Sequence, residues 1–408
     1  MSATADCADS ATATSPVVRD RARLAQGLYD CAAGRILAAR PGAGGLLRRA
    51  SAAQPQDAPA HAALALLHHR AGRREAAARR LDRAAGAASR ASRRSRSHVD
   101  AIAAVVTGQK DAPRRVGAHL SRYPGDALLA QEGAELLTWE GGADPRPARR
   151  AFLAALAPHY EADGWFFGEL AFDVAEAGGP AAAAAMARRV LARDPGNAPA
   201  AHALVHAHFE AGEHASGIAF LRTWLPGYSP LGAEHSHLVW HLALFELRLG
   251  HEAAAMSVYR RALDPSAVPG RRLCDSASFL WRRHLARPEA ALPWGPVRAL
   301  ARRESARATS AFNDVHVAMA FAGSGDGDGM GRLLRRLREQ ADAGEGVAGE
   351  VTLPLSLGLD AYGRGDFAAA ARHLEGAAGA VPRLGGSNAQ RAVFADTLTA
   401  ARRRATRP

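Results

Sequence analysis

The sequence predicts an all-α protein, in which helical hairpins repeat along the chain and stack as a right-handed superhelical solenoid. Three observations predict it. One phrase recurs, a helix that stops at a glycine followed by a second apolar helix. Two copies of its glycine, Gly178 and Gly212, stand 34 residues apart. No stretch alternates polar and apolar residues for long, and runs of Val, Ile and Thr are scarce, so strands have no pattern to form on.

The phrase reads HHRAGRREAAARRL up to Leu81, AEAGGPAAAAAMARRVLARDPGN up to Asn197, and FEAGEHASGIAFLRTWLPGY up to Tyr228. It returns as LRLGHEAAAMSVYRRALDP up to Pro265 and GRGDFAAAARHLEGAAGAVP up to Pro382. Its glycines are Gly72, Gly178, Gly212, Gly250 and Gly365. A glycine at a helix end takes the left-handed conformation that a tight turn needs. Four residues later stands a small residue, Ala76, Ala182, Ser216, Ala254 or Ala369, which is expected to let the two helix backbones approach. Proline then stops the second helix.

A spacing of 34 is the tetratricopeptide period; Gly250 follows 38 residues after Gly212. Weaker copies run from His98 to Asp126, turning at Gly108, and from Phe312 to Gln340, turning within Gly323 to Gly331. A repeat array enlarges its core by stacking, so residues 21–408 are expected to form a single repeat domain. Residues 1–20, rich in Ala, Ser and Thr, read as a disordered tail.

Charge narrows the partners. The formal net charge is +12 over 408 residues, which by itself suggests a polyanion. Lys110 is the only lysine, and arginines such as Arg149-Arg150 and Arg188-Arg189 are spread along the chain as pairs expected on solvated helix faces. The densest group, Arg90, Arg93, Arg94 and Arg96, has no interleaved aromatic residue for base stacking. The pattern argues against nucleic acid. Cys7, Cys31 and Cys274 are far apart and odd in number, which excludes a disulfide framework and fits a reducing cytoplasm. No basic start leads into an apolar stretch, and no run of some twenty apolar residues occurs, so neither a signal peptide nor a membrane span is expected.

Histidine is the outlier. Of 17 histidines, eight lie between His202 and His251. Two His-x-x-x-His pairs, His202 with His206 and His237 with His241, precede the turn glycines Gly212 and Gly250 on the first helices of their hairpins. Residues four apart share a helix face, so four imidazoles are expected to meet on adjacent first helices. Their offsets from the turn glycines, ten and six against thirteen and nine, follow the rhythm of one face. The preferred reading is a polar, partly open groove on the concave side, lined by His98, His202, His206, His237, Trp240, His241, Asp275, Trp281, Asn313, Asp314 and His316. It would take a peptide, a protein segment or a small molecule and needs no cofactor. The alternative is a divalent metal on His202, His206, His237 and His241, or an enzyme built on it. The pairs lack the glutamate of an HExxH motif, and no acidic third ligand is evident.

Other stretches yield no chemistry. Cys274, Asp275 and His284 match no nucleophile spacing. Asn313 and Asp314 sit where a helix start would use them as caps. GGSNAQR resembles a phosphate loop, yet lacks GK[ST] and reads better as a capping box of Ser387 and Gln390. DGDG at Asp326 to Gly329 fails as a calcium loop, because its twelfth position is Leu337.

SRSHVDA (from Ser95), HALVHAHFEAGEHASGIAFL (from His202), HLVWHLALFELRLGHEAAAMSVY (from His237), LCDSASFLWR (from Leu273), FNDVHVAMAF (from Phe312) and RLGGSNAQRAVFADTLTAA (from Arg383) go further than the repeat phrase. In order and spacing they resemble the tetratricopeptide-repeat protein 38 family, from about Ser95 to the C-terminus. The resemblance implies a helical repeat protein, and it brings no reaction and no catalytic residue.

Overall fold

The computed structural model describes residues 16–139, 146–160, 164–266, 273–306 and 310–406. Among them every regular element is a helix and no strand occurs. Residues 1–15 of the expected tail lie outside the described residues, and the first helix already begins at Pro16. Where a single repeat domain was expected, the chain divides into two compact units, the boundary falling after Ala130.

The first unit takes residues 16–37 and 42–130. It contains α1 (Pro16–Leu37), α2 (Ala43–Ala53), α3 (Ala58–Arg70), α4 (Arg74–Ala88), α5 (Arg93–Thr107) and α6 (Ala112–Leu120). α3 packs on its partner α4 and on the next first helix, α5. The boundary between the units falls within α7 (Ala127–Trp139).

The second unit continues with α8 (Arg146–Leu156), α9 (Gly164–Glu176), α10 (Pro180–Arg193), α11 (Ala198–Glu210), α12 (His214–Trp224), α13 (His235–Arg248) and α14 (Glu252–Ala262). It ends with α15 (Leu273–Ala286), α16 (Trp294–Ser305), α17 (Ala311–Ser324), α18 (Gly327–Asp342), α19 (Leu353–Gly363), α20 (Phe367–Ala377) and α21 (Asn388–Ala405). α9, α11, α13, α15, α17 and α19 each touch the next in line. These first helices form one row. α21 turns back along that row and touches α11, α15 and α19.

The hairpin turns follow the glycine phrase. Gly178, Gly212, Gly250, Gly325 and Gly365 have φ between 66° and 84°, as do Gly72 and Gly108 in the first unit. At Gly212 the next amide, that of Glu213, donates to the His208 carbonyl at 2.8 Å. That bond closes the left-handed helix end. The uncertain turn among Gly323 to Gly331 is made by Gly325.

The small residue that matters lies one position later than the sequence suggests. Ala182 and Ser216 are exposed. The buried ones are Ala77, Ala183, Gly217, Ala255 and Ala370, five residues after their glycines. The turn consumes one residue more before the second helix rotates its face inward. At Gly217 the fit is tightest, since a Cβ would stand 2.3 Å from the Phe245 ring.

Two further expectations change. Arg149 is buried rather than solvated, and it ion-pairs with Asp173 and Glu169. The N-cap of α17 is Ser310, whose hydroxyl accepts from the Asn313 amide at 3.2 Å. Asn313 and Asp314 therefore lie inside the first turn. No helix among the described residues is long and apolar enough to cross a membrane.

Candidate metal centre

His202 and His206 share a face of α11, and His237 and His241 share a face of α13. Because these helices are neighbours in the row, the two pairs meet. Ring centroids are 4.6 Å apart for His202 and His206, 4.8 Å for His237 and His241, 4.7 Å for His206 and His241, and 5.0 Å for His202 and His237. One ring nitrogen from each of the four lies within 4.8 Å of the others.

The surroundings orient the rings. His206 Nδ1 donates to Glu176 Oε1 at 3.0 Å, which leaves its Nε2 3.0 Å from His202 Nε2. His237 Nδ1 donates to Asp275 at 3.1 Å. His202 Nδ1 stands 3.9 Å from the Glu234 carboxylate. Carboxylates behind ligating imidazoles fix ring orientation and raise ligand basicity, and two of the four rings, His206 and His237, are hydrogen-bonded to one. His241 has none. It is fully buried, and neither of its nitrogens has a hydrogen-bond partner. An unpaired buried polar group costs about 1–3 kcal/mol.

Two contacts hold the arrangement in place. Gly168 lets α9 approach α11 closely, since a Cβ there would stand 2.8 Å from the Ala200 backbone nitrogen. Trp240 lies flat against His237, with centroids 5.2 Å apart and 11° between planes, and edge-on to His241. Arg282 covers its other side at 5.5 Å. His206 and His241 have no exposed side-chain surface or are wholly buried, whereas His202 and His237 keep 19% and 18% of theirs, so the centre has an open edge.

Burial, then the neighbouring imidazoles, pushes His202 and His241 well below the ordinary histidine range. Burial also lowers His206, against the pull of Glu176. At His237 burial is overcome by the Asp275 carboxylate, which raises it. The cluster is thus mostly neutral imidazole at neutral pH, the form that binds metal. Two nitrogens each about 2.0–2.1 Å from one tetrahedral zinc stand about 3.3 Å apart, close to the His202–His206 separation.

The remaining residues named from sequence are scattered. Asp275 joins the centre from outside. Trp281 is buried, and its indole N–H donates to Thr397 of α21 at 2.9 Å. Asp314 is buried in a two-bond pair with Arg336. His316 is buried, with Nδ1 donating to the Phe312 carbonyl at 2.7 Å. Asn313 faces the Cys274 thiol at 3.8 Å. The open groove expected of these residues is corrected accordingly, because α21 lies along the row and packing covers Trp240, Trp281, Asp314 and His316.

His98 belongs to the first unit, where its Nδ1 donates to Asp126 at 2.7 Å while His119 Nε2 donates to the same oxygen at 3.1 Å. That oxygen sits between two ring nitrogens, and His98 Nε2 is buried without a hydrogen-bond partner. The two imidazoles outweigh burial and hold Asp126 well below the usual carboxylate range. Cys274 and His284 do not form a dyad: Asp275 faces His237, and burial, with Asp275, raises the thiol.

Sequence reasoning missed Glu176, Glu234 and Arg282. A signal for the first was present, since Glu176 stands 30 residues before His206, much as Asp275 stands 38 after His237. Both lie about one repeat away, as a contact between neighbouring first helices requires.

Residues 174–228 match the tetratricopeptide repeat family. That stretch carries tetratricopeptide repeat sequence. The matched stretch contains Gly178 and Gly212, and with them Glu176, His202 and His206. Among solved structures, the tetratricopeptide repeat domain of P58(IPK) is 14% identical, covering 95% of this chain and 88% of that chain with a TM-score of 0.26.

Proposed function

We propose that this protein is a tetratricopeptide-repeat scaffold whose row of first helices carries a bound divalent transition metal. The ligands are His202, His206, His237 and His241, with Glu176, Asp275 and Glu234 behind them. The observation that carries this reading is the set of four ring nitrogens within 4.8 Å of one another, one ring of which, His241, is fully buried with both nitrogens unpartnered. A ligand ion would partner one of those two nitrogens. Imidazole donors favour zinc, copper, nickel or iron over magnesium or calcium, which prefer oxygen.

This reading places the metal ahead of the peptide or small-molecule groove, because α21 lies along the row that such a groove would need. It keeps a protein partner for the surfaces of the repeats, and a reducing cytoplasm in keeping with the free thiols of Cys31 and Cys274. The stretches that resemble the tetratricopeptide-repeat protein 38 family include both histidine pairs, so the centre is proposed as a property of that group.

Elemental analysis of the purified protein tests it. About one late transition metal per chain is expected, with loss of that metal in His241→Ala. A metal-free protein that also takes up no zinc or cobalt at micromolar concentration overturns the reading.

A further inference from the structure

Glu176 serves two masters. Its Oε1 accepts from His206 Nδ1, and its Oε2 accepts from the Asn388 backbone amide at 2.7 Å. Asn388 is the first residue of α21, behind a capping box formed by Ser387 and Gln390. The Asn388 side chain adds a bond to the Glu176 carbonyl at 3.1 Å. A second route leads to the same helix turn. Arg282, stacked on Trp240, donates to the Ala389 carbonyl at 2.7 Å and the Gln390 carbonyl at 3.2 Å. Trp240 in turn lies flat on His237. Both routes join the centre to the N-terminal turn of one helix.

We propose that metal occupancy of the histidine centre controls how firmly the C-terminal helix α21 docks on the row. This rests on the metal reading above. Coordination through His206 Nε2 fixes that ring with Nδ1–H towards Glu176, which holds the carboxylate where the Asn388 amide and the positive N-terminal end of α21 meet it. Coordination through His237 likewise fixes the ring face on which Trp240 stacks, with Arg282 over Trp240. Without the ion the His206 ring is held by its hydrogen bonds to Glu176 and His202 and lacks the coordinate bond. A turn of His206 breaks its bond to Glu176 and loosens one anchor of α21, while the bonds of Trp281 to Thr397 and of Arg282 to the Ala389 carbonyl remain. The metal-free protein therefore holds the N-terminal turn of α21 less firmly.

Hydrogen exchange measured by mass spectrometry on the full chain tests this, with cobalt absorption reporting metal uptake separately. Zinc is expected to slow exchange in peptides covering α21 by about tenfold, a typical coupling between sites, and to leave α4 unchanged. Asn388→Pro is the informative variant. Proline suits the first position of a helix; it removes the amide proton there together with the side-chain bond to the Glu176 carbonyl, and Ser387 already has the extended backbone that precedes proline, with φ −89° and ψ 165°. It is expected to bind cobalt as the parent does while its α21 exchange no longer responds to zinc. Cobalt uptake with no change in α21 of the parent overturns the coupling and leaves the centre standing. An Asn388→Pro variant that responds as fully as the parent overturns the Glu176 link. Absence of cobalt uptake overturns the metal reading itself.

Discussion

His206 donates from Nδ1 to Glu176 at 3.0 Å across two neighbouring first helices. This bond decides which nitrogen faces the other imidazoles. A carboxylate behind a ligand typically contributes about tenfold to a hundredfold in metal affinity. Glu176→Gln is therefore expected to weaken zinc binding by about that factor, and His206→Ala to abolish it. Competition titration against a chromophoric chelator checks both. Equal affinity in Glu176→Gln and parent counts against the outer carboxylates.

The close approach on α12 lies at Gly217, against Phe245 of α13, and not at Ser216. Gly217→Ala puts a methyl into the Phe245 ring, and overpacking of this kind costs about 1–3 kcal/mol. Ser216→Ala, on the exposed side, is expected to change stability by less than about 0.5 kcal/mol. Urea denaturation of the two variants separates them, and equal costs would return the contact to the earlier position.

Gly212 has φ 71°, and a Cβ there would meet nothing within 4 Å. Gly212→Val is thus expected to cost about 1 kcal/mol or more through backbone conformation alone. An unchanged melting temperature would contradict the left-handed turn.

Burial lowers His316 to about 4, despite its bond to the Phe312 carbonyl. Unfolded histidine titrates near 6.5. Above that value neither state takes the proton, and stability is full. As pH falls from 6.5 towards 4 the unfolded chain takes it first, so stability drops, by on the order of 3 kcal/mol at one group. His316→Gln is expected to lose less stability between pH 7 and pH 4.5 than the parent, whose loss also includes other buried histidines. Urea midpoints at the two pH values decide it; parallel losses would show that His316 is not the group involved.

The dispersed arginines predict weak, salt-sensitive affinity for generic DNA. Binding is expected to vanish at moderate salt, as phosphate contacts do when counterions compete. Submicromolar, sequence-selective binding at physiological salt in a fluorescence anisotropy titration would overturn this.

The sequence by itself determined the helices, their hairpin turns and the meeting of the histidines. Glycine at a left-handed helix end and residues four apart on one face are local rules, so Gly212 and the pair His202 and His206 could be read without a fold. The capping box of Ser387 and Gln390 was legible for the same reason. Only the tertiary structure decided what lies behind and over the centre. Glu176 reaches His206 because Gly168 lets α9 close on α11. Arg149 is buried because Asp173 and Glu169 meet it inside. α21 covers the row because Trp281 bonds Thr397 and Arg282 bonds the Ala389 carbonyl, more than a hundred residues along the chain. Such contacts have no period in the sequence; they depend on how helices stack, and stacking is set by packing across the whole unit.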